Sequence, residues 1–210
     1  MSLLNALVTG SSIAPQGQDY DMIRFICMSS KPILARKSNT PKLEPKEFCR
    51  ACGKFATGVT IATVTGQDGT PHGMTANSFA SVSLTPPMVL ICVDHRTKIL
   101  NDFLRSEHFA INVLSEDQEH LSRHFARSGH DRFDGVKWYA GETGAPLLPG
   151  VLASVECALV KAVVAGDHSI LIGEVLHAAY RDGRPLVYFG SGYQRLAAHL
   201  PGSSNSSTIG

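Results

Sequence analysis

The sequence predicts a mainly β domain with helical insertions, its strands rolled into a barrel. Three observations carry this. Apolar runs of strand length recur through the middle of the chain, most of them closed by Gly, Pro, Asn or Asp turn residues. Few segments show the 3.6-residue period of an amphipathic helix. Of 210 residues, 43% are hydrophobic and 18% charged, with 19 Gly and 11 Pro, which suits one core and many chain reversals.

Taken in order, residues 1–44 read as a variable extension, rich in Ser, Pro and Gln and without a sustained period. The domain then occupies 45–200, and 201–210 form a flexible tail. Within 46–56, Phe48, Cys52 and Phe55 recur at helical spacing and predict a short helix with one inward face. Val59, Ile61 and Thr63 alternate with smaller residues up to Gly66-Gln-Asp-Gly69, a hairpin signal. A second strand is expected through 74–82 and a third through 88–93. The third is nearly all apolar, as a strand buried on both faces is.

Thr97 reads as the N-cap of a helix with Ile99, Leu100, Phe103 and Leu104 on one face. Strand 109–114 and helix 116–126 follow, the helix carrying Leu121 and Phe125. A Gly/Pro-rich crossing, 141–150, leads to two long strands, 151–164 and 169–179, joined by Ala165-Gly-Asp-His168. A short strand over 186–189 and a final helix close the domain.

Lys+Arg number 19 and Asp+Glu 18, so the net charge of +1 disfavours nucleic acid or an anionic membrane as partner. No run reaches the roughly 18–20 apolar residues of a membrane span. The cysteines, at 27, 49, 52, 92 and 157, are odd in number, and the N-terminus lacks a basic region. A reducing, cytoplasmic location is expected. Cys49-Arg-Ala-Cys52 lacks a second ligand pair and reads as packing. His120-Leu-Ser-Arg-His124 has metal-chelating spacing but no third ligand, so no metal is expected and a solvated helix face is the better account. Rossmann, P-loop and nucleophile-elbow glycine motifs are missing.

Residues 73–88 carry more information. Thr75, Asn77, Ser78, Ser81 and Ser83 stand among the small Ala76 and Ala80, and the run stops at Pro86-Pro87. Such a strip can approach a flat polar heterocycle, offering backbone groups with hydroxyls at the rim; it can equally be a half-exposed edge strand. Further on, Arg96, Thr97 and Lys98 begin the predicted helix, where free N–H groups, a hydroxyl and positive charge suit a phosphate.

These residues carry a resemblance. Phe55-Ala-Thr-Gly-Val-Thr60, Thr75-Ala-Asn-Ser-Phe79, Ser81-Val-Ser83 and Pro86-Pro87 occur in the order found in the flavin reductase-like family, short-chain flavin:NAD(P)H reductases built on an FMN-binding split barrel. Phe109-Ala-Ile-Asn-Val-Leu114, Arg132-Phe133, Gly144-Ala-Pro-Leu-Leu148, Gly166-Asp-His168, Ile172-Gly-Glu-Val175 and Pro185-Leu-Val-Tyr-Phe189 continue the match. The similarity spans roughly 46–197.

The resemblance implies that Thr75, Asn77 and Ser78 meet the ribityl chain and ring edge of a flavin. Ser81, Val82 and Ser83 then present backbone groups to its pyrimidine side. The turn Asp94-His-Arg-Thr-Lys98 holds the phosphate through Asp94, Arg96, Thr97 and Lys98. Ala76 and Asn112 complete the flavin set. Gly166, Asp167 and His168 face the nicotinamide, with His168 as an orienting donor and the one residue assigned to catalysis. The implied activity is reduction of FMN or FAD by NADH or NADPH, in a homodimer that supplies a flavin-dependent monooxygenase. Two other readings remain: direct use of a tightly bound flavin on an organic substrate, or a flavin- or haem-binding module without turnover. The sequence departs from the family at Gly190, where relatives usually carry an arginine.

Overall fold

In the computed structural model, which describes residues 43–127 and 131–197, antiparallel pairing organises nearly everything. The chain enters through α1 (Pro45–Cys52) and a two-residue strand, β1 (Thr57–Gly58). It continues through β2 (Thr60–Thr65), β3 (Pro71–Ala76), β4 (Ala80–Leu84), β5 (Pro87–Asp94), α2 (Ile99–Arg105) and β6 (His108–Val113). A single 3-10 turn, Glu116–Gln118, leads into α3 (Glu119–Ala126). Two short strands, β7 (Tyr139–Ala140) and β8 (Pro146–Leu147), precede the long pair β9 (Ala153–Ala165) and β10 (His168–Tyr180). The strands β11 (Val187–Phe189) and β12 (Gly192–Gln194) come last. The main sheet has seven strands in the order β3-β2-β6-β9-β10-β5-β4, with small sheets β1-β11-β12 and β7-β8 beside it.

This sheet rolls up without closing. Ala62 and Val64 of β2 share one core with Val89, Ile91 and Val93 of β5, although three strands separate these two in the hydrogen-bonded order. Phe109, Ile111, Cys157 and Leu171 fill the middle, and α2 plugs one end with Ile99, Leu100 and Phe103. Phe103 meets Phe109 edge to face at 6.0 Å. The terminal strands β3 and β4 do not pair with each other, which makes the barrel a split one. A second core lies under α3, built from Val59, Ile61, Leu114, Phe125, Phe133, Leu148 and Leu186. There Gly73 is obligatory: a Cβ on it would stand 2.7 Å from the Phe125 ring, so α3 sits directly against β3.

Several expectations need correction. The helix at 45–52 exists, but none of its residues is buried, and Phe55 is 76% exposed. Its apolar side therefore faces outward rather than into the core. The strand expected over 74–82 is two strands, β3 and β4, on opposite edges of the sheet, separated by an irregular step at 77–79. β5 buries Val89, Ile91 and Val93 but leaves Leu90 and Cys92 half-covered, because only one of its faces meets the core. Thr97 does not cap α2; Lys98 precedes the helix, and no side chain caps it. After Phe189 the chain turns through Gly190 (φ +59°) and Ser191 (φ +67°) into β12, where a closing helix was expected. Such a turn, left-handed at both central residues, favours Gly, Asn or Asp there, so Gly190 suits it better than an arginine does.

The extension, except for Leu43 and Glu44, and the tail lie outside the described residues. Among the described residues, no helix is long and apolar enough to cross a membrane.

Candidate functional site

β5 is the spine of the site. On one side it pairs with β4 (Ala80 opposite Leu90, Ser81 opposite Val89), on the other with β10 down to the last pair, His168 opposite Asp94. The 78–84 part of the polar strip, the turn 94–98 and the hairpin 165–168 thus come together through one strand and its two neighbours, with Ser78 bonded to Cys92 of β5.

The strip divides its work. Thr75 donates its hydroxyl to the Ser122 carbonyl at 2.6 Å, fastening β3 to α3. Ala76 is buried, and its carbonyl accepts from the Thr60 hydroxyl at 2.7 Å. Ser78 accepts from the Cys92 N–H at 2.9 Å and donates to the Cys92 carbonyl at 3.3 Å, so its hydroxyl pins the irregular step onto β5. These side chains build the ledge. Asn77 and Ser81, by contrast, are exposed, and their side chains find no hydrogen-bond partner among the described residues. Val82 sits in a bulge, where the register shifts between Ser81 and Ser83, and the Ser83 hydroxyl accepts from the Thr85 N–H. Since β4 ends the sheet, its outer N–H and C=O groups face outward with no strand beyond. An open edge of this kind can pair with a planar heterocycle that alternates donors and acceptors.

At the end of β5 the Asp94 carboxylate accepts from the Arg96 N–H at 2.8 Å and pairs with its guanidinium at 2.6 Å. The Arg96 side chain and N–H hold the Asp94 carboxyl well below the ordinary carboxylate range, with His168 adding to the effect. Arg96 is therefore largely spoken for. Thr97 and Lys98 are not: the hydroxyl and the ammonium bond nothing among the described residues. Both line an open cleft of about 1150 Å³, shared with Asp94, Arg96, His72 and Arg132. Arg132 anchors that cleft by donating to the Gly73 carbonyl at 2.9 Å, and burial lowers its pKa. His72 was not foreseen from the sequence; Arg132 belongs to the quoted Arg132-Phe133 run but had been given no role.

Across β5, Gly166 (φ +65°) and Asp167 form the two-residue turn from β9 into β10. The Asp167 carboxylate holds His168 Nδ1 at 2.7 Å and is itself kept acidic by that imidazole. This fixes the ring through one nitrogen and leaves Nε2 as the working face.

Asn112 is not part of this surface. At 0% exposure, its amide donates to the Ile61 carbonyl and the Thr63 hydroxyl, each at 3.2 Å, and its carbonyl accepts from the Leu148 N–H at 2.9 Å. It is a strut between β2, β6 and the residue that follows β8, removed from the site because every polar atom of its side chain is engaged inside the fold. His120 bonds the Asp117 carbonyl and His124 the Arg132 carbonyl. Among the described residues, no group of three or more His, Cys, Asp or Glu is placed to hold a metal. Burial pushes the Cys157 thiol up to about 12, with Glu156 adding, so it is an inert core group.

Comparison with known proteins fits this geometry. A family model described as "Flavin reductase like domain" matches residues 52–197. The chain is 47% identical over 152 residues to an FMN reductase (NADH) of Agrobacterium fabrum, covering 72% of this chain and 86% of that protein. It is 42% identical over 164 residues to the reductase component of the flavin-dependent trigonelline monooxygenase of Acinetobacter baylyi. That match covers 78% of this chain and spans about half, 51%, of the relative. Among solved structures, the NADH:FAD oxidoreductase of Streptomyces globisporus, in complex with NAD and FAD fragments, superposes with a TM-score of 0.70 at 41% identity. The match covers 76% of this chain and 98% of that one.

Proposed function

The chain belongs to the flavin reductase-like family, and from that premise we propose that it uses NADH to reduce FMN or FAD and supplies the reduced flavin to a partner monooxygenase. One observation carries the reading: β5 pairs on one side with the open edge strand β4 and on the other with β10 down to His168, and runs at its end into the turn that carries Lys98, while Asn77 and Lys98 make no side-chain hydrogen bond among the described residues. These are the groups that a flat heterocycle, a phosphate and a nicotinamide each call for.

In this reaction a hydride passes from the nicotinamide to the flavin, which needs ring-on-ring approach far more than a proton donor. The chain's part is then to bind and orient. The Ser81–Ser83 backbone and the Asn77 amide hold the heterocycle and meet charge arriving on its pyrimidine side. Thr97 and Lys98 hold the phosphate. His168, braced by Asp167, orients the nicotinamide. Thr75, Ala76 and Ser78 act by shaping the ledge.

The active form is a homodimer. Leu84 is 91% exposed beside the ledge, and Val82, Val160, Val164, Leu176 and Tyr180 are also exposed on β4, β9 and β10. That much apolar surface on neighbouring strands favours a covering copy, and a shallow ledge gains depth from one. A cytoplasmic setting accords with free thiols at Cys49, Cys52, Cys92 and Cys157.

Steady-state assays of desalted protein with each pairing of FMN or FAD with NADH or NADPH test the proposal. The expected result is colourless protein that oxidises NADH rapidly only after flavin is added. Protein that stays yellow and oxidises NADH slowly would instead mean that a bound flavin acts directly on an organic substrate.

A further inference from the structure

Strand pairing between β5 and β10 stops at Asp94 opposite His168, yet the turn and the hairpin beyond that pair do not part. His95 joins them twice. Its backbone N–H donates to the Asp167 carbonyl at 3.0 Å, and its ring Nε2 shares a hydrogen bond with the Ser169 hydroxyl at 3.0 Å. Ser169 is buried, so this hydroxyl has no water to turn to if the ring leaves. The clamp sits between two side-chain pairs: Asp94 with Arg96 on the turn, and Asp167 with His168 on the hairpin. His95 is otherwise exposed and takes no part in either pair.

We propose that His95 is a positioning residue that couples the two ligand sites, so that a flavin ordering the 94–98 turn also sets the 166–168 hairpin for the nicotinamide. This rests on the assignment of those two segments made above. Coupling of this kind is reciprocal: whatever factor the nicotinamide gives to flavin affinity, flavin gives back to nicotinamide affinity. Both ligands bias one rigid unit, and the His95–Ser169 bond is what makes the turn and hairpin one unit rather than two.

The test is flavin titration by fluorescence quenching, with and without saturating NAD⁺, on the full chain. In the unaltered protein, NAD⁺ should tighten FMN binding by about fivefold or more, within the usual range of such couplings. Ser169→Ala, which removes only the buried hydroxyl, should leave FMN affinity in the absence of NAD⁺ close to its original value while the coupling factor falls toward one. His95→Ala should lose the coupling as well. His95→Gln, whose side-chain amide can still reach a hydroxyl, should recover part of it, which a general loss of stability would not allow. Lys98→Ala should weaken FMN binding yet keep the factor. An unchanged factor in both Ser169→Ala and His95→Ala would overturn the proposal, as would an unaltered protein in which the factor is already one. Failure of the unaltered protein to bind either ligand would show that the site assignment itself is wrong.

Discussion

Lys98 and Asn112 show how differently two polar residues of one motif set behave. Lys98 is exposed and pairs with nothing among the described residues, so its charge is open to a ligand and contributes little to the fold. Lys98→Ala should raise the FMN dissociation constant roughly tenfold while leaving riboflavin, which lacks the phosphate, nearly unaffected; paired fluorescence titrations check this. Asn77→Ala should likewise weaken flavin binding by roughly tenfold without shifting the urea midpoint, because no described residue bonds its amide. Asn112→Ala should do the reverse. It strands two acceptors and one backbone donor in the interior, so about 2–4 kcal/mol of stability is at risk in urea unfolding, with no flavin-specific effect. Sequence reasoning grouped Asn77 and Asn112 together since both fall in motifs. Only burial separates them, and burial depends on which strands flank β6.

At the scale of elements, the β9–β10 hairpin and the Gly141–Ala145 turn each depend on one feature. Gly166 at φ +65° lets the chain reverse in two residues; Gly166→Ala should cost about 1 kcal/mol and disturb the bracing of His168. On the proposed role of the ring, orienting the nicotinamide without supplying a proton, His168→Ala should mainly raise the KM for NADH and change kcat less. The second feature is Glu156, 5% exposed on β9. Burial alone would raise its carboxyl, but the hydroxyl and N–H of Thr143 and the N–H of Glu142 outweigh burial and hold it below its ordinary 4.5. Its folded-state pKa is therefore depressed. The stability it contributes is fully present above the unfolded value and is lost as pH falls through the folded one. Glu156→Gln should therefore be less stable than the unaltered protein at neutral pH, the gap closing below about pH 4 in thermal melts.

The hairpins at 66–69 and 165–168 were legible in the sequence because turn chemistry is local. The split of 74–82 was not. The serine-rich run has no breaker at Asn77–Phe79, and what ends β3 there is tertiary: Ser78 captured by the backbone of Cys92 on another strand. The helix at 45–52 shows the same limit, since its period was readable but what its apolar side would face was not.

For the whole molecule, the order of motifs along the chain disclosed the family and the split barrel, yet not how one strand gathers them. That is a matter of topology: β4 and β10, far apart along the chain, flank β5 because each pairs with it directly in the sheet. The same topology leaves β4 as an edge, open to a heterocycle or to the second copy of the chain proposed above. Light scattering or sedimentation should therefore find a dimer, and Leu84→Asp should shift it toward monomer with loss of turnover. The most direct measurement is a crystal structure with FMN bound. The ring should lie along the outer edge of Ser81–Ser83 with Asn77 at its rim, and the phosphate against Thr97 and Lys98. Flavin lodged instead in the separate cavity between His120 and Arg181, with the β4 edge bare, would contradict the account.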